Sequence, residues 1–127
     1  MRFVAAFFLL AHGVAHLVGF AGSWRLSADI PYHTTLLAGR VDVGDGGMKV
    51  MGVLWVLAAL LFAAVAAGLT LRADWWQPLL VATALASLVL SILELPSARI
   101  GVAIDVAILV GLAVAARLLP GIAAASR

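Results

Sequence analysis

The chain has no cysteine, one tyrosine and one lysine among its 127 residues. Without thiols there is no disulfide, no thiolate metal site and no cysteine nucleophile. Charge is scarce too. Asp, Glu, Lys and Arg make up 11% of the sequence, against about 25% in a soluble domain. Eight basic and six acidic residues leave a net charge of +2, too small and too dispersed for a phosphate-binding patch. Phosphate-cradling glycine loops and serine nucleophile elbows are also missing. What is present is apolar: 65% of the residues and a mean hydropathy of +1.19. A chain this short cannot hide that much apolar surface in a core of its own. A soluble globule, a disordered chain and a nucleic-acid binder are excluded.

A helix crossing about 30 Å of hydrocarbon needs about 20 mostly apolar residues. Four stretches qualify, at about residues 3–22, 50–71, 78–95 and 100–119. They predict an all-α integral membrane protein, a single domain over 1–127 built as a four-helix antiparallel bundle. The alanine, valine and leucine bias and the near absence of lysine point to a GC-rich bacterial genome. The expected location is therefore the inner (cytoplasmic) membrane, with multiple passes. Arg2 and the small residues Ala21 and Ser23 suggest a cleavable leader. The first apolar run, however, is longer than the usual 7–15 residues and carries His12 and His16, so it reads as a retained helix.

Two connections are short, at 72–77 and 96–99. The first, 23–49, is long. Pro31 suits the first residue of a helix, and Pro31–Ala38 is predicted to form a short interfacial helix over one mouth of the bundle. Asp45-Gly46-Gly47 reads as a turn and cap into the second helix. Trp24, Tyr32, Trp75 and Trp76 fall where interfacial aromatics belong. Arg2, Arg72, Arg117 and Arg127 lie on the face of the termini; Arg25, Arg40, Lys49 and Arg99 lie on the face of the long loop. Four against four leaves orientation unset by the positive-inside rule and allows a homodimer of opposed insertions. Small residues recur every fourth position at Ala11, Ala15 and Gly19, at Ala59, Ala63 and Ala67, and at Ala107, Gly111 and Ala115. Such stripes let helices approach closely in lipid.

Ionisable groups in hydrocarbon cost about 2.5–3.5 kcal/mol each on insertion scales, so they turn inward and find partners. Four stand out. His12 and His16 share one face of the first helix at i, i+4. Glu94 ends the third helix, and Asp105 lies about 8 Å inside the fourth. Thr83, Ser87, Ser91 and Glu94 fall on one stripe. His16, Glu94 and Asp105 thus gather in the half of the bilayer beneath the long loop. A polar pocket with an apolar floor is expected there, covered by loop residues such as Tyr32, His33, Arg40, Asp42 and Asp45.

Asp105, His12, His16 and Glu94 are the candidate catalytic residues. Desolvated carboxyl and imidazole groups suit general acid/base work. Ser87, Ser91, Tyr32, His33, Arg40 and Trp55 are the candidates for binding substrate. His12, His16 and Asp105 also have the composition of a two-histidine, one-carboxylate metal set. The H-x-x-x-H spacing lacks the glutamate of the zinc-hydrolase motif, and no metal or cofactor is expected. Haem between the two histidines is disfavoured, since both leave the same helix face.

The segments AHGVAHLVGF (11–20), PYHTTLLAGRVDVGD (31–45) and SARIGVAIDVAIL (97–109) resemble a group of small four-helix bacterial integral membrane proteins. The resemblance implies the architecture and carries no activity and no functional residue. Four-helix multidrug exporters are a poorer match, because their first helix needs a glutamate where this one has His12 and His16.

The expected function is a membrane-embedded acid/base enzyme or binding protein for a lipophilic small molecule, performing isomerisation, cyclisation or epoxide opening. A dimeric proton-coupled transporter and a structural or accessory subunit are the alternatives. The partners expected are the lipid bilayer and that small molecule.

Overall fold

The computed structural model describes residues 1–125, and side chains as far as residue 118. Four helices account for most of it: α1 (Arg2–Ser23), α2 (Gly44–Leu71), α3 (Trp76–Leu93) and α4 (Arg99–Ala125). All four contain a stretch long and apolar enough to cross a membrane. Their interiors are runs of Ala, Leu and Val, and no proline interrupts α1 or α2. The chain breaks after α2 at Arg72, which takes a left-handed conformation (φ 58°). There the Ala73 N–H closes the helix on the Gly68 carbonyl at 2.9 Å, a common way to satisfy terminal carbonyls.

α1 packs on α2, α2 on α3, and α3 on α4. Glycines set the first of these contacts. A Cβ at Gly13 would stand 2.8 Å from Phe62 Cβ, and one at Gly19 would stand 2.7 Å from the Trp55 ring. Gly52 in turn lies against Trp24 and Ser23, so the contacts advance along α1 as they retreat along α2. Of the predicted small-residue stripes, Gly19 and Ala59 take part in this seam, Ala59 through its carbonyl beside Gly13, and most of the other members do not. Ala11, Ala15, Ala107, Gly111 and Ala115 are all exposed, because packing follows the large rings that the glycines admit.

The short helix expected at Pro31–Ala38 is not present. A two-stranded antiparallel hairpin occupies this region, β1 (Thr35–Leu36) and β2 (Val41–Asp42), with Thr35 opposite Asp42 and Leu36 opposite Val41. β-branched Thr34, Thr35, Val41 and Val43 around a Gly39 turn favour strands over a helix. Leu37, Ala38 and Gly39 all have positive φ (52°, 57° and 85°). Two of these strained residues are held by the end of α3 and the residues just after it. Leu37 N–H donates to the Leu93 carbonyl at 2.7 Å, and Ala38 N–H to the Leu95 carbonyl at 3.0 Å. The hairpin tip therefore serves as a cap for a helix end whose last carbonyls lack intrahelical donors. Asp45-Gly46-Gly47 is likewise not a turn before α2. It lies in the first turns of the helix, which starts at Gly44, about six residues earlier than expected.

Two apolar clusters divide the interior. Ala6, Leu9, Phe62, Val65, Ala66 and Leu80 fill the half remote from the hairpin. Leu36, Met48, Met51, Trp55, Ala58 and Leu90 fill the half beneath it. Between them lies a polar layer.

Candidate functional site

The polar layer starts on α1. His12 and His16, one turn apart, are both buried, and their rings meet edge to face with centroids 4.7 Å apart. His16 Nδ1 lies 2.8 Å from the His12 carbonyl oxygen. A carbonyl only accepts, so Nδ1 carries a hydrogen and the ring is fixed against its own helix. α2 contributes no ionisable group here. It contributes Phe62, whose ring edges pack on both imidazoles (4.8 and 5.4 Å), and Trp55, 5.2 Å from His16. Trp55 reaches His16 because Gly19 has no side chain to block it.

From α3 comes Ser87 and from α4 Asp105, neither with any exposed surface. Ser87 Oγ is 2.6 Å from Asp105 Oδ2 and 2.6 Å from His16 Nε2. His12 Nε2 is 3.0 Å from Asp105 Oδ1. One chain thus runs His12–Asp105–Ser87–His16 across three helices. Both carboxyl oxygens of Asp105 are partnered, as buried polar groups require.

Above this layer, towards the hairpin, is a cavity of about 420 Å³, within the range of about 300–1,000 Å³ for small-molecule sites. Its lining is mostly apolar. His12 and His16 form part of its wall, with Trp55, Ser91, Glu94 and the Ile30–His33 segment. Three of its lining residues hold buried polar atoms without partners: Trp55 Nε1, Ser91 Oγ and Glu94 Oε1. The other Glu94 oxygen lies 3.4 Å from His33 Nε2, while His33 Nδ1–H donates to the Thr35 carbonyl at 2.8 Å. Burial pushes the Glu94 carboxyl above its ordinary value, opposed by His33 and by the nearby Trp55 N–H.

The candidate residues therefore separate into two groups. His12, His16, Glu94, Ser91, Tyr32, His33 and Trp55 line the cavity. Asp105 and Ser87 do not. They stand behind the histidines, so a bound molecule would meet them only through those rings. Arg40 is exposed beside the hairpin turn and lines nothing, because the strand pairing carries it outward. Tyr32 spends its hydroxyl on Asp45, and its ring lies under the Arg25 guanidinium at 3.9 Å.

His12, His16 and Asp105, which have the composition of a metal set, do not converge on one centre. His16 has both nitrogens in hydrogen bonds, one to backbone and one to Ser87, so neither points to a common centre with Asp105. Among the described residues no group of three His, Asp or Glu could hold a metal ion.

Phe62 and Gly101 are parts of the site that the sequence does not single out, and Gly19 stands out there only as one member of a small-residue stripe. A Cβ at Gly101 would come 2.8 Å from Ser91 Oγ, so this glycine keeps the α4 wall of the cavity open. Nothing else distinguishes these residues in an apolar run; their role comes from helix rotation. Comparisons with protein-family models, curated proteins and solved structures find no match to this chain, and the functional reading rests on the geometry.

Proposed function

We propose that the protein is an antiparallel four-helix bundle of the bacterial inner membrane that binds a lipophilic small molecule and exchanges a proton with it. One observation carries this reading. His12 lines the cavity, is backed by Asp105 at 3.0 Å through Nε2, and has no hydrogen bond at Nδ1 among the described residues. An imidazole whose far nitrogen is held by a carboxylate is the usual arrangement for a general base. His12 Nδ1 would take a proton from the bound molecule, or return one. Isomerisation, cyclisation and epoxide opening are reactions that such a proton-transferring group can drive.

The free atoms of the wall support a class of ligand. Trp55 Nε1 only donates, a Glu94 carboxylate only accepts, and Ser91 does either. A hydroxyl on an apolar body could answer both Trp55 and Glu94, with the body against the apolar wall. Binding or catalysis is favoured over transport because the cavity is one-sided. It occupies the hairpin half of the bundle, and the Phe62–Val65–Leu80 cluster fills the other.

Native mass spectrometry of the protein released in mild detergent tests this. The wild type should carry a lipophilic mass. Ala98→Phe, which fills the cavity wall, should lose it, and His12→Gln should keep it. A bare wild-type protein, or a mass indifferent to Ala98→Phe, overturns the reading.

A further inference from the structure

Two hydrogen bonds meet at Ser87 Oγ, one to His16 Nε2 and one to Asp105 Oδ2, both 2.6 Å long. The hydroxyl owns one hydrogen and can donate to one neighbour only. The other neighbour must donate to Ser87. His16 Nδ1 is already committed as donor to the His12 carbonyl, so a neutral His16 has no hydrogen on Nε2. An ionised Asp105 has none either. With both in those forms, one of the two bonds at Ser87 has no hydrogen in it.

We infer that Asp105, Ser87 and His16 form a proton-binding site, which holds at least one proton beyond those of an aspartate anion and neutral histidines. That proton has two places. In the first, His16 is an imidazolium: its Nε2–H donates to Ser87, and Ser87 donates to the Asp105 carboxylate. In the second, Asp105 is a carboxylic acid: its Oδ2–H donates to Ser87, and Ser87 donates to His16 Nε2. Ser87 connects them by giving its own hydrogen to Oδ2 while taking the hydrogen of Nε2. No atom leaves, and the net charge stays the same. In both forms Asp105 Oδ1 accepts from His12 Nε2–H, so the His12 bond is indifferent to which form is present.

The electrostatics agree. With the extra proton the cluster has no net charge. Without it, a carboxylate with no exposed surface would carry a lone negative charge between helices, an unfavourable arrangement in a low-dielectric interior. The groups facing the site from each element are few. α1 supplies His12 and His16, α2 only the rings of Phe62 and Trp55, α3 Ser87, and α4 Asp105. Glu94 and His33 lie at the cavity wall and contact each other rather than the cluster. No other ionisable side chain is bonded to the three members among the described residues.

The test is spectroscopic and uses the ligand-free protein in detergent micelles, with protons and hydroxide as the only probe. At neutral pH the ring nitrogens of ¹⁵N-labelled histidine and the infrared carbonyl band of ¹³C-labelled aspartate report the two forms. The wild type should show either a His16 imidazolium or a protonated Asp105. Asp105→Asn should show a neutral His16 with its hydrogen on Nδ1, since the amide N–H₂ donates to Ser87 where the acid did. That variant should release one proton fewer on titration to alkaline pH. A wild type with an ionised Asp105 and a neutral His16 overturns the inference, and that spectrum decides even if a variant does not fold. Because no ligand takes part, failure here is separate from failure of the cavity reading: an empty cavity leaves the proton site standing.

Discussion

Asp105 shows how much depends on one side chain when its surroundings offer no water. It has no exposed surface, and His12 and Ser87 each answer one of its oxygens. An asparagine at this position keeps an acceptor for His12 and supplies a donor to Ser87. Asp105→Asn should therefore change stability by less than about 1 kcal/mol, within the net worth of one neutral hydrogen bond. Asp105→Ala leaves both partners unanswered and should cost about 3–5 kcal/mol, as breaking a buried pair does. Thermal unfolding of the two variants in the same detergent measures the contrast, and equal losses would count against it. Glu94 gives a second prediction, of opposite character. Burial raises its carboxyl above the ordinary value, so the folded state binds the proton more tightly than the unfolded chain. The resulting stability is complete below the unfolded value of about 4.3 and is lost as pH rises through the raised folded value. Glu94→Gln removes that dependence. Its unfolding midpoint should match the wild type in acid and exceed it by a few degrees at neutral pH. An unchanged gap across the pH range would show that folding does not raise the proton affinity of the carboxyl.

At the level of elements, the hairpin and the helix end it covers act together. Ala38 holds a positive φ of 57° and donates its N–H to Leu95. Proline fixes φ near −65° and has no N–H, so Ala38→Pro should cost about 2 kcal/mol or more. The loss should appear first as faster amide exchange at Leu37, whose N–H is held by Leu93. Exchange at wild-type rates would show that the tip is not anchored on α3. This element is also where sequence reading failed. Pro31 was a reasonable helix start, but the backbone donors that hold Leu37 and Ala38 in place find their acceptors about 55 residues further along, at Leu93 and Leu95, and no local pattern reveals a partner so distant. The helices were legible because apolar length alone marks them. The polar stripe of Thr83, Ser87 and Ser91 was legible too, since a spacing of four places all three on one helix face. What spacing could not tell was depth around the axis: which of these groups lines the cavity and which stands behind it. Phe62 and Gly19 decide that by packing; Phe62 looks ordinary in sequence, and the four-residue spacing marks Gly19 only as one small residue among many.

For the whole molecule, the arrangement of polarity is reversed from that of a soluble bundle. Phe3, Phe7, Val50, Leu60, Val89 and Ile100 are exposed, while His12, His16, Thr83, Ser87, Ser91 and Asp105 are buried. Apolar side chains outside and polar ones inside suit a surrounding of hydrocarbon, from which polar groups turn towards the protein interior. If the four helices cross a bilayer in alternating directions, the hairpin and the α2–α3 connection end on opposite sides. The native absence of cysteine makes this directly measurable. Arg40, beside the hairpin turn, and Asp74, between α2 and α3, are both exposed. In intact cells, Arg40→Cys and Asp74→Cys should react with a membrane-impermeant maleimide in complementary fractions. One site labels and the other is protected if every copy inserts the same way. With both orientations present, as the balance of four basic residues on each face permits, each site labels in part and the two fractions still sum to one. Full labelling at both, or protection at both, is incompatible with alternating passes. It would place the cavity mouth and the α2–α3 turn on one side, and the polar layer between the two apolar clusters would no longer lie within a membrane-spanning bundle.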